Sequence, residues 1–285
     1  MRKIISYSFI MLGIITLTFT ACKKDKALTD DITDTAAVDE NAQADETFSD
    51  VFTSISNFSA ESDASFTTNE PKTQLLDLKT LAIASNPTIT VLPKGITWPK
   101  TVTFDFGTGT TKNDITRKGK IIAVYSKKFK ETGAVITITF DNYYVNDTQI
   151  EGNKTITNNG KNTAGNYTFS IAVAKSKIND KRGTFTYEAT RTLEWTKGEN
   201  TATIVDDEYA ITGTSIGVNS KGISFTTNIT SPLIKKIGWP FLVAGIIEIK
   251  PSNKTLRVLN YGNGELDAKA TLTIGGVSKE IFLRK

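Results

Sequence analysis

Histidine is absent from this chain of 285 residues, and cysteine occurs once, at Cys22. Without histidine the chain has no Ser/His/Asp triad, and a single cysteine provides neither an internal disulfide nor a Cys/His zinc site. An enzyme built from this sequence would depend on carboxylates, Lys, Tyr, Ser, Thr or a hard metal ion. The composition therefore favours a non-catalytic protein and leaves carboxylate or metal chemistry as the enzymatic alternatives.

The N-terminus has the pattern of an export signal. Arg2 and Lys3 precede an apolar run, 4–19, which is too short and wrongly flanked for an ordinary membrane-spanning helix. Phe19-Thr20-Ala21-Cys22 resembles the lipobox of bacterial lipoproteins, in which the cysteine is acylated and becomes the mature N-terminus. The resemblance predicts a signal peptide over 1–21 and lipid attachment at Cys22, where several acyl chains would give a stable anchor.

Charge divides the rest of the chain into two parts. Residues 23–75 hold four Lys against twelve Asp and Glu, whereas residues 76–285 hold 28 Lys and Arg against 18 acids. A basic body favours anionic partners such as anionic glycans. Lysines that decorate solvent faces and sheet edges explain the same excess, so both interpretations stay open at this stage.

The acidic part is expected to be mostly unstructured. Residues 22–75 are interpreted as the acylated cysteine, an acidic flexible tether and one short helix, because most of the segment is polar and without periodicity. An amphipathic helix is predicted over 46–59, where apolar residues recur at helical spacing. These residues are Phe48, Val51, Phe52, Ile55 and Phe58.

The basic part, 76–285, is expected to form a β domain, as one unit or as two sub-domains. From Thr88 onward, Thr, Val, Ile, Phe and Tyr recur with period two between Gly, Asn and Asp turns. Strands are predicted over 88–92, 101–106, 119–126, 134–141, 143–151, 166–174, 184–196, 208–213, 223–229, 244–250, 255–261, 268–274 and 277–283. The fold class is therefore mostly β, an antiparallel meander or β-sandwich with one short N-terminal helix.

Several short motifs of the body occur in a characteristic order. They are Trp98-Pro99, Thr101 to Gly109, Arg117 to Ile122, Asp206-Asp207 with Ile211-Thr212-Gly213, and Tyr261-Gly262-Asn263-Gly264. This order resembles a group of uncharacterised Bacteroidota cell-envelope lipoproteins over most of residues 98–283. The resemblance implies an all-β body and a place on the bacterial outer membrane, at its surface or its periplasmic face, and it implies no activity.

A glycine-rich turn is the candidate metal site. Asp105 precedes Phe106-Gly107-Thr108-Gly109, and Asp114 follows that segment. Carboxylate, amide and carbonyl oxygens are the ligands that calcium prefers. A tight turn needs the same glycines, so no cofactor is expected, with calcium at Asp105 and Asp114 as the alternative.

Three tryptophans are the candidate ligand-binding residues. Aromatic faces stack on sugar rings, and the side chains considered for this role are Trp98, Trp239 and Trp195. Trp98 and Trp239 each precede a proline, which places them where a strand begins or a loop ends. Packing in a sheet core would use the same residues.

The densest acidic run of the body is Asp206, Asp207 and Glu208. Glycoside hydrolysis needs two carboxylates that flank one bond, and adjacent strand residues point to opposite faces. A catalytic pair would therefore combine one of the aspartates with a distant acid. The candidate partners are Asp105, Asp141 and Glu188. A solvated turn before a strand explains the same run.

Together these features predict a lipid-anchored envelope protein with a non-catalytic binding or structural role, towards an anionic glycan or another envelope protein. The anchor makes the membrane a partner, and no nucleic acid is expected. Residues 232–243, apolar with Lys235 and Lys236 among them, either cover one end of the sheet or touch a membrane surface. The enzymatic alternative is a carboxylate-dependent glycan hydrolase.

Overall fold

The computed structural model describes residues 31, 34–62, 87–112, 115–201 and 204–283. Cys22, Asp114 and the predicted signal peptide lie outside the described residues. Within them the chain forms one long helix followed by fourteen strands. None of the described helical segments combines the length and apolarity that a bilayer crossing requires.

The helix, α1, spans Ala36–Ser62. Asp34 caps its start, because its Oδ1 accepts a hydrogen bond from the backbone N–H of Ala36 at 3.2 Å. The apolar residues that predicted a helix over 46–59 all face the protein interior. The helix is therefore confirmed, with an earlier start than predicted.

The flexible tether predicted upstream is wrong for residues 36–45, which belong to α1. Apolar and polar side chains are both buried in this part of the helix, including Val38, Glu40 and Asn41. Because polar residues occupy inward positions, the segment has no clean hydrophobic repeat. Acidic composition without periodicity therefore does not indicate disorder in this segment.

The strands form one antiparallel sheet. Their bounds are β1 Thr88–Leu92, β2 Lys100–Asp105, β3 Thr110–Lys112, β4 Ile115–Tyr125, β5 Val135–Val145, β6 Thr148–Lys161, β7 Tyr167–Asp180, β8 Gly183–Lys197, β9 Glu208–Val218, β10 Ser224–Lys236, β11 Leu242–Pro251, β12 Arg257–Asn263, β13 Lys269–Ile274 and β14 Val277–Phe282. The predicted mostly β fold is confirmed, and the arrangement is a meander. The short β3 was not predicted, and of β6 only residues 148–151 were, as part of the predicted strand 143–151.

The connections of the meander alternate between the two ends of the strands, since each strand pairs with the next one along the path and β3 pairs with β4. One end, called the loop end, carries the connections 93–99, 126–134, 162–166, 198–207, 237–241 and 264–268. The other, called the turn end, carries the segment with β3 and the connections 146–147, 181–182, 219–223, 252–256 and 275–276.

α1 crosses the strands on the inner face of the sheet. The segment that leads into it lies against β12, where Arg257 donates to the backbone oxygen of Asp31 at 2.9 Å. Its far end lies against β2, where the ring centroids of Phe58 and Phe104 are 5.5 Å apart. Thirteen strands about 4.8 Å apart would make a flat sheet roughly 60 Å wide, whereas a helix is only about 10 Å across. The side chains of residues 51–56 are all buried, so the sheet curls around this part of the helix.

Two clusters of buried apolar side chains fill the space between helix and sheet. The larger one surrounds Phe48, Phe52 and Ile55 and reaches from β2 to β9. The smaller one contains Ala37 and Val38 and the inward side chains of β10 to β13. Burying one such aliphatic or aromatic side chain contributes about 1.5–3 kcal/mol, so α1 is the element that completes the core.

Candidate functional site

The two ends of the sheet differ in the length of their connections. The loop-end connections have 7, 9, 5, 10, 5 and 5 residues, whereas the turn-end connections, apart from the segment with β3, have 2, 2, 5, 5 and 2 residues. Trp98 and Trp239 lie in loop-end connections, and Trp195 lies near the loop end of β8. Long loops on a rigid scaffold commonly carry binding residues. The loop end is therefore the candidate functional site.

Trp98 and Trp239 lie in loops, as their positions before proline predicted. Both are half-buried. Trp98 packs against the core, and the Nζ of Lys100 lies 5.5 Å from its ring centroid. Trp239 donates its Nε1–H to the backbone oxygen of Asp267 at 3.2 Å, which joins two neighbouring loops. Each indole remains partly accessible to a ligand.

Trp195 is a core residue, which corrects its prediction as a ligand platform. Its exposure is 5%, because it lies at an inward position of β8. The ring centroid is 5.6 Å from that of Tyr209 and 6.5 Å from that of Tyr167. Trp195 therefore supports the more exposed Tyr167 from below.

Tyr167 is the centre of a small surface group at the loop end, which we call the Tyr167 cluster: Tyr167, Lys161, Lys130 and Glu199. The Nζ of Lys161 lies 4.8 Å from the ring centroid of Tyr167 and 2.5 Å from Oε1 of Glu199. The Nζ of Lys130 lies 4.9 Å from the ring centroid of Trp195 and donates to the backbone oxygen of Glu199 at 3.4 Å. The cluster joins a half-exposed aromatic face to two ammonium groups.

Two amides extend the polar surface next to the Tyr167 cluster. Asn162 and Asn166 donate from Nδ2 to the same oxygen of Glu194, at 2.8 and 2.7 Å. These hydrogen bonds, from Asn166 and then Asn162, hold the pKa of Glu194 below its ordinary value. Amide, ammonium and aromatic groups therefore all occur at the loop end, and these are the group types that bind a sugar through its ring face and its charged substituents.

Among the described carboxyls of the loop end, Asp207 is the one whose pKa is raised, to about 7. Burial is the main cause, the charge of Asp206 adds to it, and the hydrogen bond from the Nε1–H of Trp195 at 3.2 Å opposes it. The backbone of Gly198 closes over this carboxyl with φ +89°, and a Cβ there would lie 2.1 Å from Asp207 Oδ1. A carboxyl that keeps its proton near neutral pH has the property of a general acid.

The acids considered as catalytic partners do not lie beside Asp207. Asp105 ends β2 at the turn end, opposite the loop that carries Asp207. Asp141 is exposed near the same end, in register with Lys120. Glu188 is exposed on the outer face of β8, between the buried Tyr187 and Ala189. The structure therefore brings none of the three to the loop end.

Asp105 organises its own turn. Its Oδ1 accepts the backbone N–H of Gly107 at 2.8 Å, and its Oδ2 lies 3.4 Å from the Nζ of Lys120. The Gly107 hydrogen bond is the main reason that the pKa of Asp105 is lowered. Among the described residues no group of three or more Cys, Asp or Glu is arranged to hold a metal ion. Calcium at Asp105 and Asp114 stays a prediction, because Asp114 lies outside the described residues.

A row of polar pairs between α1 and the sheet was not predicted. Its central members are Asp45 with Arg191 of β8, Asp50 with Arg117 of β4, and the backbone oxygen of Phe48 with Lys154 of β6. All three basic residues are buried. The one sequence signal was Arg191, which interrupts the apolar alternation of its strand.

Burial and hydrogen bonding shift the pKa values of two groups in this row. Burial lowers the pKa of Lys154 to about 7, although Asp50 and Asp45 oppose the shift. At the other end of the row, burial opposes ionisation of Asp31, but hydrogen bonds from Thr255 and Arg257 lower its pKa to about 2. The row therefore fixes α1 on the sheet, and its groups take part in packing.

The described residues thus separate into an interior that anchors the helix and a loop end that carries partly exposed side chains. Trp98, Trp239 and the Tyr167 cluster belong to the loop end, and Trp195 supports Tyr167 from the core. In comparisons with known proteins, no family model, no curated protein and no solved structure matches this chain.

Proposed function

We propose that this chain is a lipid-anchored protein of the bacterial outer membrane with a non-catalytic binding role, and that an anionic glycan or another envelope protein binds at its loop end. One observation carries the proposal. Most of the long connections, with lysines and partly exposed aromatic rings among them, lie at one end of the sheet, whereas the other end has mostly short turns. A rigid sheet with long loops at one end is suited to binding.

The Tyr167 cluster supports an anionic glycan as the ligand. The face of a sugar ring stacks on an aromatic ring, and the ring of Tyr167 is half-exposed. Lys161 stands beside that ring and Lys130 beside the neighbouring ring of Trp195, where their ammonium groups can pair with carboxylate or sulfate groups of the sugar. Because Glu199 holds both lysines in place, the ligand would meet a preorganised surface.

The use of the buried ionisable groups supports a non-catalytic role. Arg117, Arg191 and Lys154 contact α1 and are closed off from solvent. Asp207 is enclosed by Trp195 and Gly198, and its proposed partner acids lie elsewhere on the sheet. Asp207 and these acids therefore do not form the pair of carboxylates on either side of one bond that glycoside hydrolysis requires.

The position of the helix start indicates where an anchor at Cys22 would attach. Asp31 lies at the turn end, where it accepts hydrogen bonds from Arg257 and from the backbone N–H of Thr255. Cys22 precedes Asp31 by nine residues, which span at most about 32 Å. β8 has 15 residues and is about 50 Å long, so the anchor would attach on the turn-end side of the chain and would still permit the sheet to lie with its strands along the membrane.

Thermal shift on residues 23–285, which include every described residue, tests the binding role. Anionic glycans at about 100 times their Kd should stabilise the protein by about 2.7 kcal/mol, and more at low salt than at moderate salt. The shift should disappear in a Tyr167→Ala/Lys161→Gln variant. The matched control is Tyr144→Ala/Lys118→Gln, since the Nζ of Lys118 lies 4.0 Å from the Tyr144 ring centroid near the turn end. If no glycan shifts the protein and intact envelopes yield no bound protein, the proposal is wrong.

The lipid anchor has a separate test. Cells given labelled palmitate should incorporate it into the wild-type protein and not into a Cys22→Ser variant. Incorporation that survives this substitution would place the lipid on another residue and overturn the anchor.

The raised pKa of Asp207 favours one second candidate, a carboxylate-dependent glycan hydrolase. Turnover of a glycan that is lost in Asp207→Asn would establish it and replace the non-catalytic role. Calcium belongs in the same thermal-shift panel, because a shift with calcium that is lost in Asp105→Asn would assign the metal site.

A further inference from the structure

The most exposed apolar side chain among the described residues stands at the tip of a loop-end connection. Ile96, in the connection 93–99, is 79% exposed. Leu92, at the end of β1, is 55% exposed, and Val124 is 38% exposed. Leu92 is in register with Thr101, and Thr101 with Val124, so the three apolar side chains lie at one corner of the sheet.

The connection 93–99 is held rigidly by a buried lysine. Lys100 is fully buried, and its Nζ donates to the backbone oxygens of Pro93 at 2.9 Å and Gly95 at 2.5 Å. The same ammonium lies 5.5 Å from the ring centroid of Trp98, which packs against the core. Ile96 is therefore projected outward by a loop whose backbone is bonded from inside.

Lysines occur in the connection that carries this apolar tip and in the neighbouring one, although Lys130 reaches away from the tip to Glu199. Lys100 pairs in register with Tyr125, the last residue of β4, so the connection 126–134 begins beside the connection 93–99. The two connections together contain one acidic residue, Glu131, and four lysines. The lysines are Lys94, Lys127, Lys128 and Lys130. The corner thus carries an excess of positive charge.

We propose that this corner docks onto a lipid bilayer with anionic headgroups, with Ile96 entering the acyl region, Trp98 at the level of the headgroups and the neighbouring lysines on the lipid phosphates. Exposed aliphatic residues, an indole and lysines in this order match the layers of a bilayer surface. The core of a protein interface is depleted in lysine, and here Thr101 separates Leu92 from Val124 and the same connections carry lysines. The contact is additional to the anchor at Cys22 and does not depend on glycan binding.

Vesicle pelleting with residues 23–285, which lack Cys22, tests the docking without the anchor. The wild-type chain should pellet with vesicles of phosphatidylcholine and phosphatidylglycerol and not with phosphatidylcholine alone. Ile96→Asp should weaken this binding by about 10-fold or more, because an isoleucine no longer leaves water. Lys94→Gln/Lys127→Gln should weaken it by about 5-fold per lysine and reduce its salt dependence.

Matched controls separate the corner from the rest of the surface. Leu266→Asp removes an apolar side chain that is 56% exposed at the same end of the sheet, and Lys177→Gln/Lys181→Gln removes two exposed lysines elsewhere. Both controls should bind like wild type. Thermal unfolding of every variant checks that the fold is intact, since all the substituted residues are exposed except Lys127, which is half-buried and donates to the backbone oxygen of Thr132.

Three results would overturn the proposal. They are no binding of the wild type to anionic vesicles, equal losses in the control variants, and a wild-type dimer in solution that Ile96→Asp converts to a monomer. The last result would make the corner a contact between copies of the chain. Because no glycan is present, this experiment and the thermal-shift panel can fail independently of each other.

Discussion

Asp45 of α1 accepts two hydrogen bonds from the Nη2 of Arg191 on β8, at 3.0 and 3.2 Å, across 146 residues of sequence. The hydroxyl of Tyr187, which lies four residues before Arg191 on the same face of β8, donates to the same carboxylate. Arg191 is 5% exposed, so its charge depends on Asp45 for compensation. The pair converts an acidic stretch of the N-terminal segment into a fixed part of the fold.

Removing one member of this pair should cost more stability than removing both. Asp45→Ala leaves Arg191 buried without its counter-charge, and we expect a loss of about 3–5 kcal/mol in the free energy of unfolding. Asp45→Leu/Arg191→Met should restore most of that loss, since both charges are gone. Urea unfolding measures both variants, with Glu188→Ala on the outer face as a control within about 0.5 kcal/mol of wild type. Additive losses would show that the pair is not coupled.

Lys154 should make the protein more stable as the pH rises above neutrality. In the folded chain the amine loses its proton near pH 7, whereas in the unfolded chain it keeps the proton up to its ordinary value of 10.5. The unfolded state therefore binds more protons between these values, and the free energy of unfolding increases with pH across that window. Lys154→Met should flatten this rise and add on the order of 3 kcal/mol at pH 7. Urea titrations from pH 7 to pH 10 that show parallel curves for the two proteins would contradict the assignment.

Asp207 should make the protein less stable as the pH rises towards neutrality. Its ordinary pKa of 3.8 becomes about 7 in the fold, so the native state binds the extra proton between these values. The free energy of unfolding should fall as the pH rises through that window. Above pH 7 the carboxyl is ionised in both states, and the loss of stability reaches its full size. Asp207→Asn should exceed wild type by about 2–4 kcal/mol at pH 8 and equal it below pH 4. A variant less stable than wild type at pH 8 would mean that the ionised carboxylate stabilises the loop.

Phe52 should be among the costliest side chains of α1 to truncate. Its ring contacts those of Phe169 on β7 at 5.9 Å and Tyr209 on β9 at 5.5 Å, between centroids. Phe52→Ala should lower the free energy of unfolding by about 3–5 kcal/mol, because the cavity lies between helix and sheet. Phe282→Ala, at a residue that is 65% exposed, is the control and should stay within about 0.5 kcal/mol of wild type. Comparable losses in both variants would show that α1 is not the centre of the core.

Local patterns were sufficient to predict most strands and the second half of α1. Alternation along β8 predicted its buried face, and the spacing of Phe48, Phe52 and Ile55 predicted the helix face. The predicted strand over 143–151 is divided in the structure, because Asn146 adopts φ +53° and the chain turns there between β5 and β6. Turns of two residues are easily overlooked when both flanking segments favour strands.

The start of α1 and its polar partners could not be predicted in the same way. Glu40 and Asn41 are buried because the hydroxyls of Ser220 and Ser215 donate hydrogen bonds to them. These partners are 180 and 174 residues away in sequence. Lys154 shows nothing unusual in its own strand, since its acceptor is a backbone oxygen of α1. For the candidate site, the sequence indicated Trp98 and Trp239, but the Tyr167 cluster depends on three connections that meet only in the folded sheet.

The crossing of α1 over the sheet has a consequence for the timing of folding. Asp31 pairs with Arg257, 226 residues later, and Asp50 pairs with Arg117, 67 residues later. During synthesis the helix therefore emerges first, and the strands that cover its beginning emerge last. Topologies dominated by such distant contacts fold slowly. The core therefore stays open for as long as the C-terminal strands are withheld, so the beginning of α1 gains its buried contacts only near the end of synthesis.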